Sequence, residues 1–428
     1  MHAILKHYLS SKYFRKFKNR TDFEIWQHLQ VVDHIKKVVP HSTFYSQLFQ
    51  GLDSKNWRNF PIIDKKIMME QFDDLNTVGI KKEAAFRLAM EAERTRQFFP
   101  KIGTISLALS SGTSGNRGLF LISPEEQAEW AGAIMAKALP KSILSKENIA
   151  LFMRTNNNLY EGVRTSNIQF QFYNLLLPLE THLEQLNRNP PTILAAPPSL
   201  LRLLCQHIPQ GRLRITPNKI IALGEVLDPV DEIFIQETFK QKVHQIYQCD
   251  EGLLGTTCSF GTMHLNEDVV AVQKEFIDKD AGKFIPVITD FRKKSQPIIR
   301  YRLNDILTER RNACPCGSCF IAIEKVERRR DDVFYLPSLI HPNEFIPVFS
   351  DHIRAAVIDA SNEIEEFFVA QRDANCMEIS VKTKSIWCLE ELIRTSLQQL
   401  CLKLQCKLPY IHFSSFEENK GEKKPRVA

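Results

Sequence analysis

The chain has no apolar run approaching the roughly 20 residues needed to cross a bilayer, which excludes a helical membrane-spanning protein. Its N-terminus has no apolar core of the secretory type, so a cytoplasmic protein is expected. No unit recurs at a solenoid period and no low-complexity tract interrupts the chain, which excludes repeat arrays. Basic residues are not interleaved with aromatics in an RNA-binding signature, so nucleic acid is not an expected partner. Glycine is missing throughout the interval from Ser318 to Lys420.

What is present fits a globular protein of more than one domain. The chain has 428 residues, 43% of them hydrophobic and 25% charged, and exceeds what one hydrophobic core usually serves. The net charge of +6 is modest, although Lys6, Lys12, Arg15, Lys16, Lys18 and Arg20 all precede the first acidic residue, Asp22. Such a run reads as a solvated helix face. Ten cysteines without a secretory signal argue against a disulfide framework and point to metal binding or reactive thiols.

Residues 1 to about 100 look largely helical, with Lys81 to Arg96 as one clear stretch. Beyond them, apolar runs at 105–109, 149–153, 193–196 and 220–223 alternate with helical stretches such as Pro124 to Lys137 and Pro198 to Gln206. That alternation predicts an α/β layered domain with a largely parallel sheet. The last hundred residues read as a small α+β unit. It has strands over 367–372, 377–383 and 411–416, and a helix over 385–404 with Ile386, Leu389, Ile393, Leu397, Leu400 and Leu404 at helical spacing. Between the two, 326–342 has few periodic apolar positions and reads as a hinge region.

One turn stands out by its order of residues. Ser110, Ser111, Gly112, Thr113, Ser114 and Gly115 follow a strand, and small hydroxylated residues with glycine let backbone N–H groups approach phosphate oxygens. By composition alone this is an ordinary loop, and it is not the Walker pattern.

With four motifs downstream, the order Ser-Ser-Gly-Thr-x-Gly resembles the adenylate-forming superfamily of acyl-CoA synthetases and adenylation domains. Within it, the chain is most similar to the phenylacetate–CoA ligase branch and its relatives among deazaflavin-coenzyme adenylyltransferases. The resemblance covers most of the chain. It implies a large layered N-terminal α/β domain of mixed sheets and helices over 1–329, helical over 1–100. A small, mobile α+β C-terminal domain over 330–428 is also implied. ATP and magnesium are the implied cofactors.

Each motif then takes an implied role. Gly224 and Glu225, in Ala222-Leu-Gly-Glu, would border the adenine. In Tyr247-Gln-Cys-Asp-Glu251 the tyrosine would flank the adenine, and Glu251 would hold the magnesium that bridges ATP phosphates. Gln248 stands where relatives have glycine. Asp305, closing Ile299-Arg-Tyr-Arg-Leu-Asn-Asp, would accept hydrogen bonds from the ribose hydroxyls. In Val326-Glu-Arg-Arg-Arg-Asp-Asp, Arg329 falls on the ribose-contacting arginine and Asp331 on the hinge of the small domain, Arg328 replacing a glycine. Lys423, three residues before Arg426, matches the lysine that stabilises charge during adenylation, with Lys420 and Lys424 as competing registers. Read without the resemblance, the Arg/Asp motifs and the terminal lysines are solvated charge runs.

Cys314-Pro-Cys316-Gly can present two thiolates to one metal, but a structural zinc needs four ligands. Relatives tend to have a cysteine and a histidine where Cys258 and His264 stand, which would complete a closed site, with Cys319 an alternative ligand. Reduced cysteines in a tight loop are the plain alternative.

The implied reaction is attack of a substrate carboxylate on the α-phosphate of ATP, with pyrophosphate leaving, and then transfer of the acyl group to CoA or an acyl carrier protein. Tyr160, Phe170, Phe172, Tyr173 and Trp130 offer aromatic walls for an aryl acid, though such residues are often plain core. The glycine gap removes the glycine-bearing loop that lines a pantetheine tunnel, so an amine or hydroxyl acceptor stays open. AMP transfer to a cofactor-like acceptor is the alternative reaction, and a homodimer is compatible with the chain.

Overall fold

A computed structural model gives the fold and describes residues 2–15, 17–97, 99–110, 117–153, 164–326, 333–341, 344–361, 363–383 and 389–414. Its described residues fall into two compact units. The first reaches to Val326, leaving out Arg117 and Leu175–His182; the second carries the chain from Val333 onward.

The first unit opens with α1 (His2–Leu9) and α2 (Arg20–Val38), the latter started by the Asn19 side chain accepting from the Asp22 amide at 2.8 Å. α3 (Lys65–Glu70) and α4 (Lys82–Thr95) follow. A small antiparallel sheet then forms from β1 (Lys101–Ile102), β2 (Ile105–Leu109) and β3 (Leu119–Ile122). The buried Gln296 side chain completes its edge, accepting from Leu121 N at 2.9 Å and donating to Leu119 O at 3.0 Å.

Among the described residues the main sheet has twelve strands. β4 (Glu147–Met153), β5 (Ile168–Asn174), β6 (Ile193–Ala196), β7 (Lys219–Leu223) and β8 (Val243–Cys249) lie parallel in the order β8-β7-β6-β4-β5. Antiparallel pairing then takes over with β9 (Gly252–Thr257), β10 (Met263–Leu265), β11 (Val270–Asp278), β12 (Lys283–Asp290), β13 (Ile298–Arg302), β14 (Leu307–Glu309) and β15 (Ala322–Val326). The largely parallel sheet expected from strand–helix alternation is therefore corrected to a mixed one. The run at 105–109 belongs to the small sheet instead.

α5 (Pro124–Ala138) covers one face of the parallel strands. It begins with a capping box between Ser123 and Glu126, and Pro124 supplies a preset φ in the first turn. The Glu126 carboxylate also accepts from the Ser295 hydroxyl at 2.9 Å and from the amides of Lys294 and Ser295, so the cap fixes that loop as well. Ala131, Ile134 and Met135 pack onto Leu151, Phe170, Ile193 and Ile221. On its outer side Gly132 touches α1, where a Cβ would come within 2.6 Å of the His7 Cβ and 2.7 Å of Tyr8 N, so any larger residue would pry the two helices apart. α6 (Pro198–His207) and α7 (Pro229–Phe239) complete the parallel half.

The basic N-terminal run is not simply a solvated face. Lys12 donates to Ala136 O and Arg15 to Asp268 O. Arg20 makes a two-pronged pair with Glu267, at 2.7 and 2.9 Å, and Glu267 is fully buried. Glu267 accepts from Ile321 N too, at 2.7 Å.

In the second unit β16 (Val333–Pro337) pairs with β17 (Phe345–Phe349). β18 (Ile364–Asp373), β19 (Cys376–Thr383) and β20 (Tyr410–Ser414) form a sheet, packed with α8 (Ser350–Ala360) and α9 (Leu389–Lys403) around Leu336, Val357, Met377, Ile379, Ile393 and Leu397. The hinge reading of 326–342 is thus corrected in part, since Val333–Pro337 is a paired strand; 327–332 lie outside the described residues.

Candidate active site

β2 and β3 converge on Ser110 and Gly118. Ser110 N donates to Gly118 O at 2.8 Å, and Gly118 N donates to the Ser110 hydroxyl at 2.6 Å. These bonds close the neck of the serine–glycine turn, whose residues Ser111, Gly112, Thr113, Ser114 and Gly115 lie outside the described residues. The Lys65 ammonium also reaches the Ser110 hydroxyl, at 3.3 Å. Lys65 opens α3, with Asp64 as cap accepting from Ile67 N at 2.9 Å.

The position of Lys65 is set by a distant strand. Ile63 N donates to Arg300 O at 3.0 Å and Arg302 N to Ile63 O at 2.8 Å, so Ile63 pairs with Tyr301 as an added β-bridge. Arg300, at φ 52°, turns its guanidinium onto carbonyls of the preceding segment, Arg58 O and Phe60 O.

Glu251 lies in the two-residue turn between β8 and β9, where Cys249 pairs with Gly252. It is buried, and its Oε1 accepts from the Tyr301 hydroxyl at 2.9 Å. Burial pushes the Glu251 carboxyl up. The positive charge of Lys65 and hydrogen bonds from Cys249, its own backbone and Tyr301 more than offset it, leaving the group below its ordinary range. Glu251 is therefore a buried carboxylate held ionised. Burial and the neighbouring Glu251 charge raise the Tyr301 phenol, which keeps it a donor.

Tyr247 sits just before this turn and donates to Asp305 Oδ2 at 2.6 Å. Both are buried. After β7, Gly224 takes φ 82°, a left-handed turn that favours glycine. Glu225 then accepts from the Ser199 hydroxyl at 2.6 Å and the Ser199 amide at 3.2 Å, in the first turn of α6, where the helix dipole favours an anion.

Cys258, His264, Cys314 and Cys316 offer one ligand atom each within 4.8 Å of one another. Cys258 Sγ and Cys314 Sγ are 3.7 Å apart, and Cys316 Sγ and His264 Nε2 are 3.3 Å apart. His264 Nδ1 faces Phe320 O at 3.2 Å, which directs Nε2 into the cluster. Cys319 is outside the group, so it replaces none of the four. All nine described cysteines are free.

The structure thus brings Ser110, Glu251 and Tyr301 to Lys65, and Tyr247 to Asp305. Arg329, Asp331 and Lys423 lie outside the described residues, as does Tyr160. Phe170 and Tyr173 are core rather than pocket wall: Phe170 packs under α5, and Tyr173 stacks on Phe152 at 4.6 Å between ring centroids. Phe172 and Trp130 are only partly buried. Lys65 escaped the sequence reading because no motif surrounds it; a lysine opening a helix behind an aspartate cap is an ordinary surface pattern.

No protein-family model and no curated protein matches the sequence. Solved structures do match in fold. 2-Hydroxyisobutyryl-CoA ligase in complex with 2-HIB-AMP and CoA, in the thioesterification state, aligns over 95% of this chain and 90% of its own, at 14% identity and a TM-score of 0.61. An open conformation of that ligase, also with 2-HIB-AMP and CoA, aligns over 94% and 90% at 14% identity with a TM-score of 0.56. The chain has the fold of the adenylate-forming ligases.

Proposed function

We propose that this protein is an adenylate-forming ligase, activating a carboxylic acid with ATP as the acyl adenylate and passing the acyl group to a thiol. The observation that carries this reading is the convergence of Lys65 on Ser110 and Glu251, at the neck of the serine–glycine turn, within a fold shared with a ligase solved with an acyl adenylate. Acyl activation of this kind is chiefly charge neutralisation and positioning. Lys65 and the turn residues Ser111 to Gly115 meet the phosphates; Tyr247, Gly224 and Glu225 border the adenine; Asp305 and Arg329 hold the ribose. Lys423 comes to the reacting carboxylate and α-phosphate, and the small domain, from 330 onward, turns about Asp331 between the half-reactions.

Glu251 suits magnesium, being a buried carboxylate kept ionised, and one carboxylate suffices beside bound phosphates. Magnesium would neutralise phosphate charge there. The Cys258–His264–Cys314–Cys316 group suits a structural zinc: a tetrahedral site with Zn–S bonds of about 2.3 Å has S···S edges of about 3.8 Å, close to the 3.7 Å between Cys258 and Cys314. It would join the β9–β10 hairpin to the loop between β14 and β15. The partly buried aromatics Trp130 and Phe172 favour an aryl acid. The glycine gap from Ser318 to Lys420 bears equally on CoA and on a carrier-protein thiol, because both enter on a pantetheine arm, and leaves an amine or hydroxyl acceptor open beside them.

The test is acid-dependent exchange of labelled pyrophosphate into ATP across aryl, fatty and amino acids. Exchange with one class supports adenylation and names the substrate. A stable adenylylated acceptor formed without any acid would instead point to AMP transfer.

A further inference from the structure

We infer that Gln248 is a specificity residue that donates an amide N–H to the acyl group, so that the acid activated carries a hydrogen-bond acceptor away from its carboxylate. This rests on the adenylation reading and names the class of acid.

The end of β8 has a bulge between Tyr247 and Gln248 in its pairing with β9, and a bulge re-aims the side chains beside it. The two neighbours part company there. Tyr247 turns its hydroxyl to Asp305, whereas Gln248 turns its amide to α5, where Oε1 accepts from Trp130 Nε1 at 3.2 Å. An indole N–H can only donate, so the amide oxygen must be the atom that faces it. The orientation of the amide is fixed by that chemistry. Its Nε2 is left with two donor hydrogens and no protein acceptor among the described residues, and Gln248 is only half-buried.

The surroundings are apolar. Leu223, at the carboxyl end of the neighbouring β7, Ile246 of β8 and Trp130 of α5, all partly buried, are apolar neighbours on the α5 side. Met153 of β4 and Phe172 of β5 continue that apolar face three and four strands along the sheet. In open α/β sheets ligands bind outside the carboxyl ends of the strands. An apolar setting with one oriented polar group is how small-molecule sites combine affinity with selectivity. A donor pair with its acceptor missing favours a substrate oxygen and disfavours the analogue that lacks it.

Pyrophosphate exchange is measured on the full chain with matched acids: benzoate against the three methoxybenzoates, which accept but cannot donate, and hexanoate against 5-oxohexanoate. At least one acceptor-bearing acid should exceed its plain partner by about tenfold or more in kcat/KM. Gln248→Met should collapse that ratio towards one, and Trp130→Phe, which releases the amide, should narrow it. An ATP-induced thermal shift in both variants reports that they fold. A ratio that survives Gln248→Met, or wild-type exchange indifferent to the acceptor, overturns the inference while leaving adenylation standing. Absence of exchange with every acid removes the adenylation reading and this inference with it.

Discussion

Tyr301 donates its phenolic hydrogen to Glu251 across a separation of 50 positions, at 2.9 Å inside the protein. The bond joins β13, paired with β12 in the sheet's antiparallel half, to the tight turn where the sheet passes from parallel to antiparallel pairing. A carboxylate in that turn without a donor would face the full cost of burial.

Removing the donor should therefore weaken the site without emptying the core. Tyr301→Phe keeps the ring, which is almost wholly buried, and loses only the hydroxyl. A hydrogen bond to a charged group contributes about 1.5–3 kcal/mol, so kcat/KM for pyrophosphate exchange should fall roughly 10- to 100-fold. The magnesium concentration for half-maximal exchange should rise. Unaltered magnesium dependence would separate Tyr301 from the metal.

Lys65 should set the acid limb of the pH profile. Its charge is the largest of the influences holding the Glu251 carboxyl down. In Lys65→Met that lowering influence is lost, the carboxyl rises, and the acid limb of the exchange rate moves to higher pH, alongside a loss of about tenfold or more in rate. A lowered rate with the acid limb in place would mean that Lys65 touches only the phosphates.

A second pair of carboxyls makes stability depend on pH in the opposite sense. Burial, with Glu126 adding to it, pushes Asp290 up to about 7 from 3.8 despite Lys293; burial and Asp290 push Glu129 up to about 7 from 4.5 despite Arg15 and Lys294. The folded state thus holds these protons more tightly than the unfolded chain does. Their contribution is full below about pH 4 and is lost as pH rises through 7. The thermal midpoint should carry a falling component between pH 5 and pH 8, and Asp290→Asn should flatten it. A variant that keeps the wild-type slope excludes Asp290 as its source.

Zinc should copurify at close to one per chain, measured by elemental analysis. Chelation or Cys316→Ser should lower the thermal midpoint, as expected where a metal joins two loops. Clearly substoichiometric metal in fresh protein would end the zinc assignment.

Much of the first unit was legible because each buried parallel strand is a short apolar run bounded by turn residues, as in Ile193–Ala196. The antiparallel half was harder to read. Lys283–Asp290 and Val270–Asp278 pair with each other in a register that no helix punctuates, and their outer ends are polar. Val333–Pro337 looked like linker because its pattern of Phe334 and Leu336 inward, Tyr335 outward, is only five residues long. Within the site, the motif order singled out Tyr247, Glu251 and Asp305 as candidates. It could not show that Lys65 stands among them, since that follows from one bridge between Ile63 and Tyr301. Nor could spacing alone choose between Cys316 and Cys319.

Arg20 pairs with Glu267 and Ile63 bridges to Tyr301, each more than 200 residues later in the chain. During synthesis the N-terminal helices emerge before these partners, and can pack only on one another. At about 5–20 residues per second they wait roughly 10–50 s for those strands to leave the ribosome. Throughout that interval Phe23, Val31 and Tyr45, all buried in the finished protein, lack the part of the core that Ile298, Tyr301 and Phe320 later supply, and that face is open to whatever else binds nascent chains.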